Sequence, residues 1–458
     1  MSRSLLVRSL ALVLLCSLAL APVAGAAPPA QPSNPGATAQ PAPPQPFFAN
    51  PGGPNRPAAV PAARPSNCTQ DNRTYTGGTY QYWICMPPGG VSWNNDLVVY
   101  AHGYVGIDQP IAVPEAQLKV NYNGNEVYLT DVLTGVYNIF GLDYHFAVAV
   151  TSYTQNGLAL KPALSDLADM VDVFKSGHPT TKNVYLLGVS EGGLITALAA
   201  EQPAGHFSGG LAACGPVGDF ALQINYFGDF RVLFDYFFPG LMPGTPISIP
   251  AQYVHQAAWD TYYRNTVLPV LPQSSSQVSL TQLLKVSHAP PYGFTSFDAV
   301  STTVGTLLWY SIFATNDATV KLGGQPYDNQ NRVYSGSDSQ ALDAAINAWV
   351  DQTGRRYAAS SAALAEIAAH YQTNGLPQVP LVTVHTTLDE VVPYQHEVLY
   401  RAKVIRNDML GRWTNTRSTP TATVRSMRSR CRRHWRRSSI VSRIRGRPSF
   451  PPTSTYRW

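Results

Sequence analysis

The stretch Val184-Tyr185-Leu186-Leu187-Gly188-Val189-Ser190-Glu191-Gly192-Gly193-Leu194 constrains this chain more than any other. An apolar, β-rich run enters a Gly-x-Ser-x-Gly turn and leaves as a helix. Gly188, Gly192 and Gly193 keep side chains out of the space where strand and helix pack closely. The serine at such a turn is exposed at the electropositive start of the helix, where a nucleophile can be presented. The tripartite glycine–serine pattern is weak evidence alone. Framed by this strand and this helix it is strong, and a glycine-rich turn with an idle serine is the weaker reading.

The rest of the chain repeats the alternation. Leu97–Ala101, Phe146–Val150, Val184–Leu187, Gly210–Cys214 and Leu381–Val384 are short continuous apolar runs. Such runs suit parallel strands buried on both faces. Leu160–Phe174 and Leu194–Glu201 read as intervening helices. The expectation is an α/β fold with a mostly parallel sheet and helices on both faces. The alternation stops between about 219 and 378. That interval reads as helix and loop, with an aromatic group at Tyr226, Phe227, Phe230, Phe234, Tyr236, Phe237 and Phe238. We expect an inserted helical cap over the active edge of the sheet, with most of these rings as its core.

On these residues the chain resembles the α/β-hydrolase superfamily, in particular secreted bacterial esterases and lipases, over about 97–406. The resemblance implies Ser190 as nucleophile, with the N–H of Glu191 as one oxyanion donor. It places the second donor in the loop after an early strand. Here that loop is Ala101-His102-Gly103-Tyr104-Val105-Gly106, with the Tyr104 N–H as candidate and His102 ordering the loop. It also implies an acid after a late strand. The run Leu381-Val382-Thr383-Val384-His385-Thr386-Thr387-Leu388-Asp389-Glu390-Val391-Val392-Pro393 offers Asp389, with Glu390 as the alternative. Asp389 would orient a histidine and stabilise its cation.

That histidine should follow Asp389 by one more helix and strand. His396 comes too early, in an apparent helix from Tyr394 to Ile405 where a surface position is expected. His434 stands in Arg432-Arg433-His434-Trp435-Arg436-Arg437, with no strand-then-loop context. Thirteen of the 32 Lys and Arg residues lie after Asp408, where there is no Asp or Glu. Read in a shifted frame, joining each third base to the next two, Pro420–Ser426 permits Tyr-Gly-His-Cys-Ala-Phe. Met427–Arg437 then permits Asp-Ala and a helix. Gly-His-Cys-x-Phe before a helix looks like the catalytic-histidine loop of such hydrolases, so 409–458 reads as an Arg-rich tail created by a frameshift. A genuine basic tail that binds anionic surfaces is the competing reading.

The remaining body holds 19 basic and 27 acidic residues, which argues against nucleic acid as a partner. Arg3, Arg8, Leu10–Leu20 and Ala24-Gly25-Ala26 make 1–26 an expected signal peptide, so the chain is expected to be secreted or periplasmic with no transmembrane segment in its mature form. Thirteen prolines make 27–66 an extended linker, and the hydrolase domain is expected over 67–408. Cys68 and Cys85 bracket an apparent hairpin and are expected to pair. No spacing suggests a metal site, and no cofactor is implied. The expected activity is hydrolysis of carboxylic esters with apolar or aromatic acyl groups, polyesters among them. A peptidase of the same fold and a catalytically inactive binding protein remain the alternatives.

Overall fold

The computed structural model describes residues 64–418 apart from 123–124, 138–144, 203–204 and 294. The expected signal peptide, most of the linker, and the tail from residue 419 with His434 lie outside the described residues.

The described chain opens with the hairpin β1 (Cys68–Tyr75) and β2 (Gly78–Cys85), whose end residues Cys68 and Cys85 face each other in register and form a disulfide. The expected pairing is present. Closing a loop of this size restricts the unfolded chain and stabilises by about 3 kcal/mol. We therefore expect reduction to lower the denaturant midpoint accordingly. A non-reduced digest checks the bridge itself, and free thiols at both positions would overturn the assignment.

Then come β3 (Asp96–Ala101), the small hairpin β4 (Lys119–Tyr122) and β5 (Asn125–Tyr128), α1 (Leu129–Thr134), β6 (Ala147–Thr151) and α2 (Leu160–Gly177). The unit β7 (Asn183–Val189), α3 (Glu191–Glu201) and β8 (Gly209–Ala213) follows. Six further helices separate β8 from the next strand among the described residues: α4 (Phe220–Phe237), α5 (Gln256–Tyr262), α6 (Ser276–Val286), α7 (Phe297–Lys321), α8 (Gln340–Gln352) and α9 (Ser361–His370). The chain then returns as β9 (Leu381–Thr386), α10 (Gln395–Arg406) and β10 (Trp413–Ser418).

Eight strands form one sheet in the order β1-β2-β6-β3-β7-β8-β9-β10. Only β2 runs against the others. The period of two along each strand divides its side chains between two cores. Leu97, Val99, Val184 and Leu186 pack with α2 and α3 on one face. Val98, Tyr100, Tyr185 and Leu187 pack with α1 and the segment before it on the other. Burial on both faces is why these strands read as unbroken apolar runs. The architecture is that of an α/β-hydrolase, as the strand–turn–helix unit led us to expect.

The helices between β8 and β9 carry their own apolar core, with Phe230 and Phe234 of α4 packed among Leu283 of α6 and Leu307, Trp309 and Phe313 of α7. Two expectations need correction. The folded domain does not stop at residue 408: β10 lies inside the segment read as tail, and Trp413 is buried against Tyr400 of α10. A short polar strand paired on one side only gives little hydrophobic signal, and its flanking arginines hid it. His396 is not on the surface. It is 1% exposed and its Nδ1 accepts the Asp219 N–H at 3.3 Å. Gly218 permits this: a Cβ there would lie 2.5 Å from the His396 carbonyl oxygen, so the chain entering α4 lies directly on α10.

Candidate active site

Ser190 sits between β7 and α3 with φ 58° and ψ −121°, a backbone conformation a non-glycine residue seldom adopts. Neighbouring glycines leave the turn no alternative. A Cβ on Gly188 would meet the Gly192 carbonyl oxygen at 1.9 Å, and one on Gly192 would meet that of Ala101 at 2.0 Å. The Ser190 N–H donates to the Ala213 carbonyl at 2.9 Å, which ties the turn to the end of β8. The strain is held by packing on both sides of the turn.

The loop after β3 runs beside this serine. A Cβ on Gly103 would stand 3.2 Å from the Ser190 Cβ. Gln117 fixes that loop: its Oε1 accepts the Gly103 N–H at 2.7 Å, and its Nε2 donates to the Tyr104 carbonyl at 3.1 Å. The Tyr104 N–H has no hydrogen-bond acceptor among the described residues. Glu191 is the first residue of α3, so its N–H has no intrahelical partner. His102 is buried, hydrogen-bonds the Gly103 carbonyl through Nδ1 at 2.7 Å and stacks on Tyr153 at 3.8 Å. Burial lowers its pKa to about 4, so it orders the loop as a neutral ring.

The cap is docked onto this loop by groups the sequence did not reveal. The Tyr104 hydroxyl donates to Asp317 Oδ2 and to the Phe313 carbonyl of α7, each at 3.2 Å. The same Asp317 Oδ2 accepts the Leu158 N–H at 2.7 Å, and Lys321 lies 2.9 Å from Oδ1. Asp317 is one acidic residue late in a long apolar helix, and nothing in its spacing marks it.

Glu191 is buried, and its Oε1 accepts the Ala159 N–H at 2.7 Å. Burial pushes its pKa up to about 8. The unfolded chain therefore ionises this group from about pH 4.5, while the folded chain keeps it neutral to about pH 8. Its contribution is complete below the lower value and declines as pH rises through this window, by at most about 1.4 kcal/mol per unit. Glu191→Gln is expected to flatten that part of the stability profile. Denaturation at pH 5 and pH 8 checks it, and an equal loss in both proteins would refute the buried neutral state.

Asp389 follows β9. Its Oδ1 accepts the N–H groups of Val391 at 3.1 Å and Val392 at 2.9 Å, and its Oδ2 accepts the Thr386 hydroxyl at 3.3 Å. His385 Nε2 lies 3.7 Å from that carboxylate and 2.8 Å from the Val392 carbonyl, so it braces the turn from behind. Burial works against a charge on His385, but Glu397 and Asp389 outweigh it and raise its pKa. The neighbouring Glu390 has its pKa raised to about 7 by burial and then by Asp389. A lone surface position for Asp389 is excluded by these bonds.

Cys214 directly follows β8, beside the same turn. Among the described residues it has no disulfide partner. Cys214, His385 and Asp389 place one potential metal ligand each within 4.8 Å of one another. They fit a metal poorly: burial holds the thiol neutral, and the His385 Nε2 is engaged by a carbonyl. Nine of the ten histidines lie within the described residues, and no hydrogen bond among those residues joins any of them to Ser190.

A cavity of about 80 Å3 opens on Ser190. Leu158, Phe220, Phe227, Tyr310, Ala318 and Val392 give it a largely apolar wall, so α4 and α7 of the cap roof the serine. Gln223 also faces it; its Nε2 donates to the Val391 carbonyl at 2.8 Å, while its buried Oε1 has no partner among the described residues. No helix of the described residues is long and apolar enough to cross a membrane.

No protein-family model and no curated protein matches this chain. Solved structures do. An esterase of Pyrococcus furiosus is 10% identical with a TM-score of 0.39, covering 84% of this chain and 95% of that one. The rice cell wall degrading esterase LipA from Xanthomonas oryzae is 11% identical with a TM-score of 0.38, covering 82% and 87%. An acylaminoacyl peptidase of Pyrococcus horikoshii is 10% identical with a TM-score of 0.34, covering 84% of this chain but 43% of its own, so the chain spans less than half of that peptidase. All three are distant likenesses.

Proposed function

We propose that the chain is built as an exported serine hydrolase for carboxylic esters. The observation that carries this is Ser190, held at a strained turn and opening on a largely apolar cavity under the cap. Ser190 Oγ attacks the ester carbonyl, and its proton passes to a histidine base. The oxyanion that forms takes hydrogen bonds from the N–H groups of Tyr104 and Glu191. The base returns the proton to the departing alcohol, and water then cleaves the acyl-enzyme by the same route. Asp389 orients the base.

That base comes from outside the described residues. The helix and strand expected before it are α10 and β10, and the chain beyond β10 is where the shifted frame supplies Gly-His-Cys. His434 of the present tail is the weaker candidate, because six arginines from Arg428 to Arg437 oppose a cationic imidazole. An inactive scaffold that binds ligands is the second reading, favoured by the nine described histidines that make no hydrogen bond to Ser190. The signal peptide expected from the sequence and the Cys68–Cys85 bridge support export.

Turnover of p-nitrophenyl esters, compared with the Ser190→Ala variant and with aminoacyl anilides, tests the reading. Ser190-dependent ester cleavage supports it. Cleavage of anilides alone would make the protein a peptidase, and binding without turnover in every version of the tail would make it a scaffold.

A further inference from the structure

Behind the cavity over Ser190 lies a second one of about 50 Å3, between α4 and α7. Ile224, Phe227, Tyr310, Ala314 and Ala318 line both. The two are therefore neighbouring compartments divided by a shared wall. At its centre the rings of Phe227 and Tyr310 stack with centroids 4.9 Å apart and planes 4° from parallel. Each compartment exceeds the roughly 10–15 Å3 that a single water needs.

The compartments differ in what they offer a ligand. The first contains the reacting hydroxyl of Ser190 and the unpartnered Oε1 of Gln223. In the second, the polar side chains beyond the Phe227–Tyr310 stack are already engaged. The Ser311 and Thr315 hydroxyls donate to the carbonyls of Leu308 and Ser311, and that of Thr319 donates to Thr315. Gln325 donates to the Ala358 carbonyl and accepts the Tyr327 N–H. The Tyr327 hydroxyl donates to Asp229 at 2.9 Å. A ligand in this compartment finds the hydroxyl protons beyond the stack committed to protein acceptors, so an apolar one is favoured.

The sequence builds this space. Alanines at 314 and 318 stand one turn apart on α7 and leave room beside α4. Gly228 serves the far wall: a Cβ there would lie 2.3 Å from the Tyr327 ring, so glycine alone lets that ring close the cavity's back.

Resting on the ester-hydrolase reading, we infer that the second compartment holds the distal part of a long acyl chain. The ester group reacts in the first, and the Phe227–Tyr310 stack with Ala314 sets chain-length preference. The occupant follows from continuity with the serine's own cavity and from the commitment of the hydroxyl protons beyond the stack to protein acceptors.

The test is direct binding to the full chain, so it does not require turnover. Parinaric acid, a long-chain fluorescent fatty acid, is titrated into the protein as it exists, into Ala314→Leu and into the size-neutral Ala314→Ser. The parent and Ala314→Ser are expected to bind alike, while Ala314→Leu binds at least about tenfold more weakly. Butyrate is expected not to displace the probe. No binding to the parent, equal binding by Ala314→Leu, or an equal loss in Ala314→Ser would overturn the inference. In a version that turns over, Ala314→Leu should lower the ratio of kcat/KM for palmitate esters to that for acetate esters by at least about tenfold. Binding without Ser190-dependent turnover in every version of the tail would sink the ester reading alone. Turnover with a chain-length profile unmoved by Ala314→Leu would sink the inference alone.

Discussion

A chain whose residues beyond β10 are read in the shifted frame is expected to hydrolyse p-nitrophenyl esters at least about a thousandfold faster than the chain as it stands. The size follows from how a triad works. Its members act as a unit, and removing one leaves only the residual catalysis of oxyanion hole and binding. Nine of the ten histidines lie within the described residues, and three of them lie on the segments around Ser190 and Asp389. His102 stacks on Tyr153. His385 is locked to the Val392 carbonyl behind Asp389. His396 is buried with its Nδ1 on the Asp219 N–H, and burial lowers its pKa to about 3. None of these three makes a hydrogen bond to Ser190 among the described residues. The restored loop would also bring a cysteine toward Cys214, which has no disulfide partner among the described residues, at the end of β8 beside Asp389. A new bridge in a non-reduced digest of the restored protein is the structural companion of the kinetic gain. Ester turnover per folded molecule decides the matter. If both versions turn over equally, and His434→Ala abolishes it, His434 is the base and the frameshift reading is wrong.

In the restored chain, Ser190→Ala is expected to lower ester turnover by roughly five to six orders of magnitude while leaving the fold intact. Structure makes the second half of that statement firm. Ser190 is only half-buried, and its strained backbone is imposed by Gly188, Gly192 and the Ala213 carbonyl rather than by its own side chain. Removing Oγ should leave the denaturation midpoint near its original value. Activity retained by a pure Ser190→Ala preparation would remove the central claim. Unfolding of that variant would instead show that the hydroxyl has a structural part, which none of the described hydrogen bonds indicates.

Much of this was legible because it depends on local chemistry. Runs such as Leu97–Ala101 and Val184–Leu187 are apolar at every position because both faces of their strands are covered, and that leaves a direct mark on the sequence. The sharp turn at Ser190 demands glycines at fixed offsets. The Cys68–Cys85 pairing follows from a hairpin whose register brings its ends together. Asp389 is recognisable from the strand before it and the Val-Val-Pro run after it, although its bonds to the Val391 and Val392 N–H groups are seen only in the fold.

Tertiary structure alone decided the rest, because those features arise from contacts between segments far apart in the chain. Asp317 holds the loop after β3 through Tyr104, 213 residues away, and no local pattern announces such a partnership. Gln117 and Gln223 are ordinary polar residues until the fold places one against Gly103 and the other over Ser190. His396 reads as a surface helix residue until Gly218 lets the entry to α4 lie against it. Strand β10 was hidden because pairing with β9, not its own apolar content, makes it a strand. The sequence by itself determined where the strained Ser190 turn stands and which sheet presents it, since strand burial and turn geometry act within a few residues. Which groups roof it, dock the cap and divide the space behind it was decided only when long-range packing brought α4 and α7 over the serine.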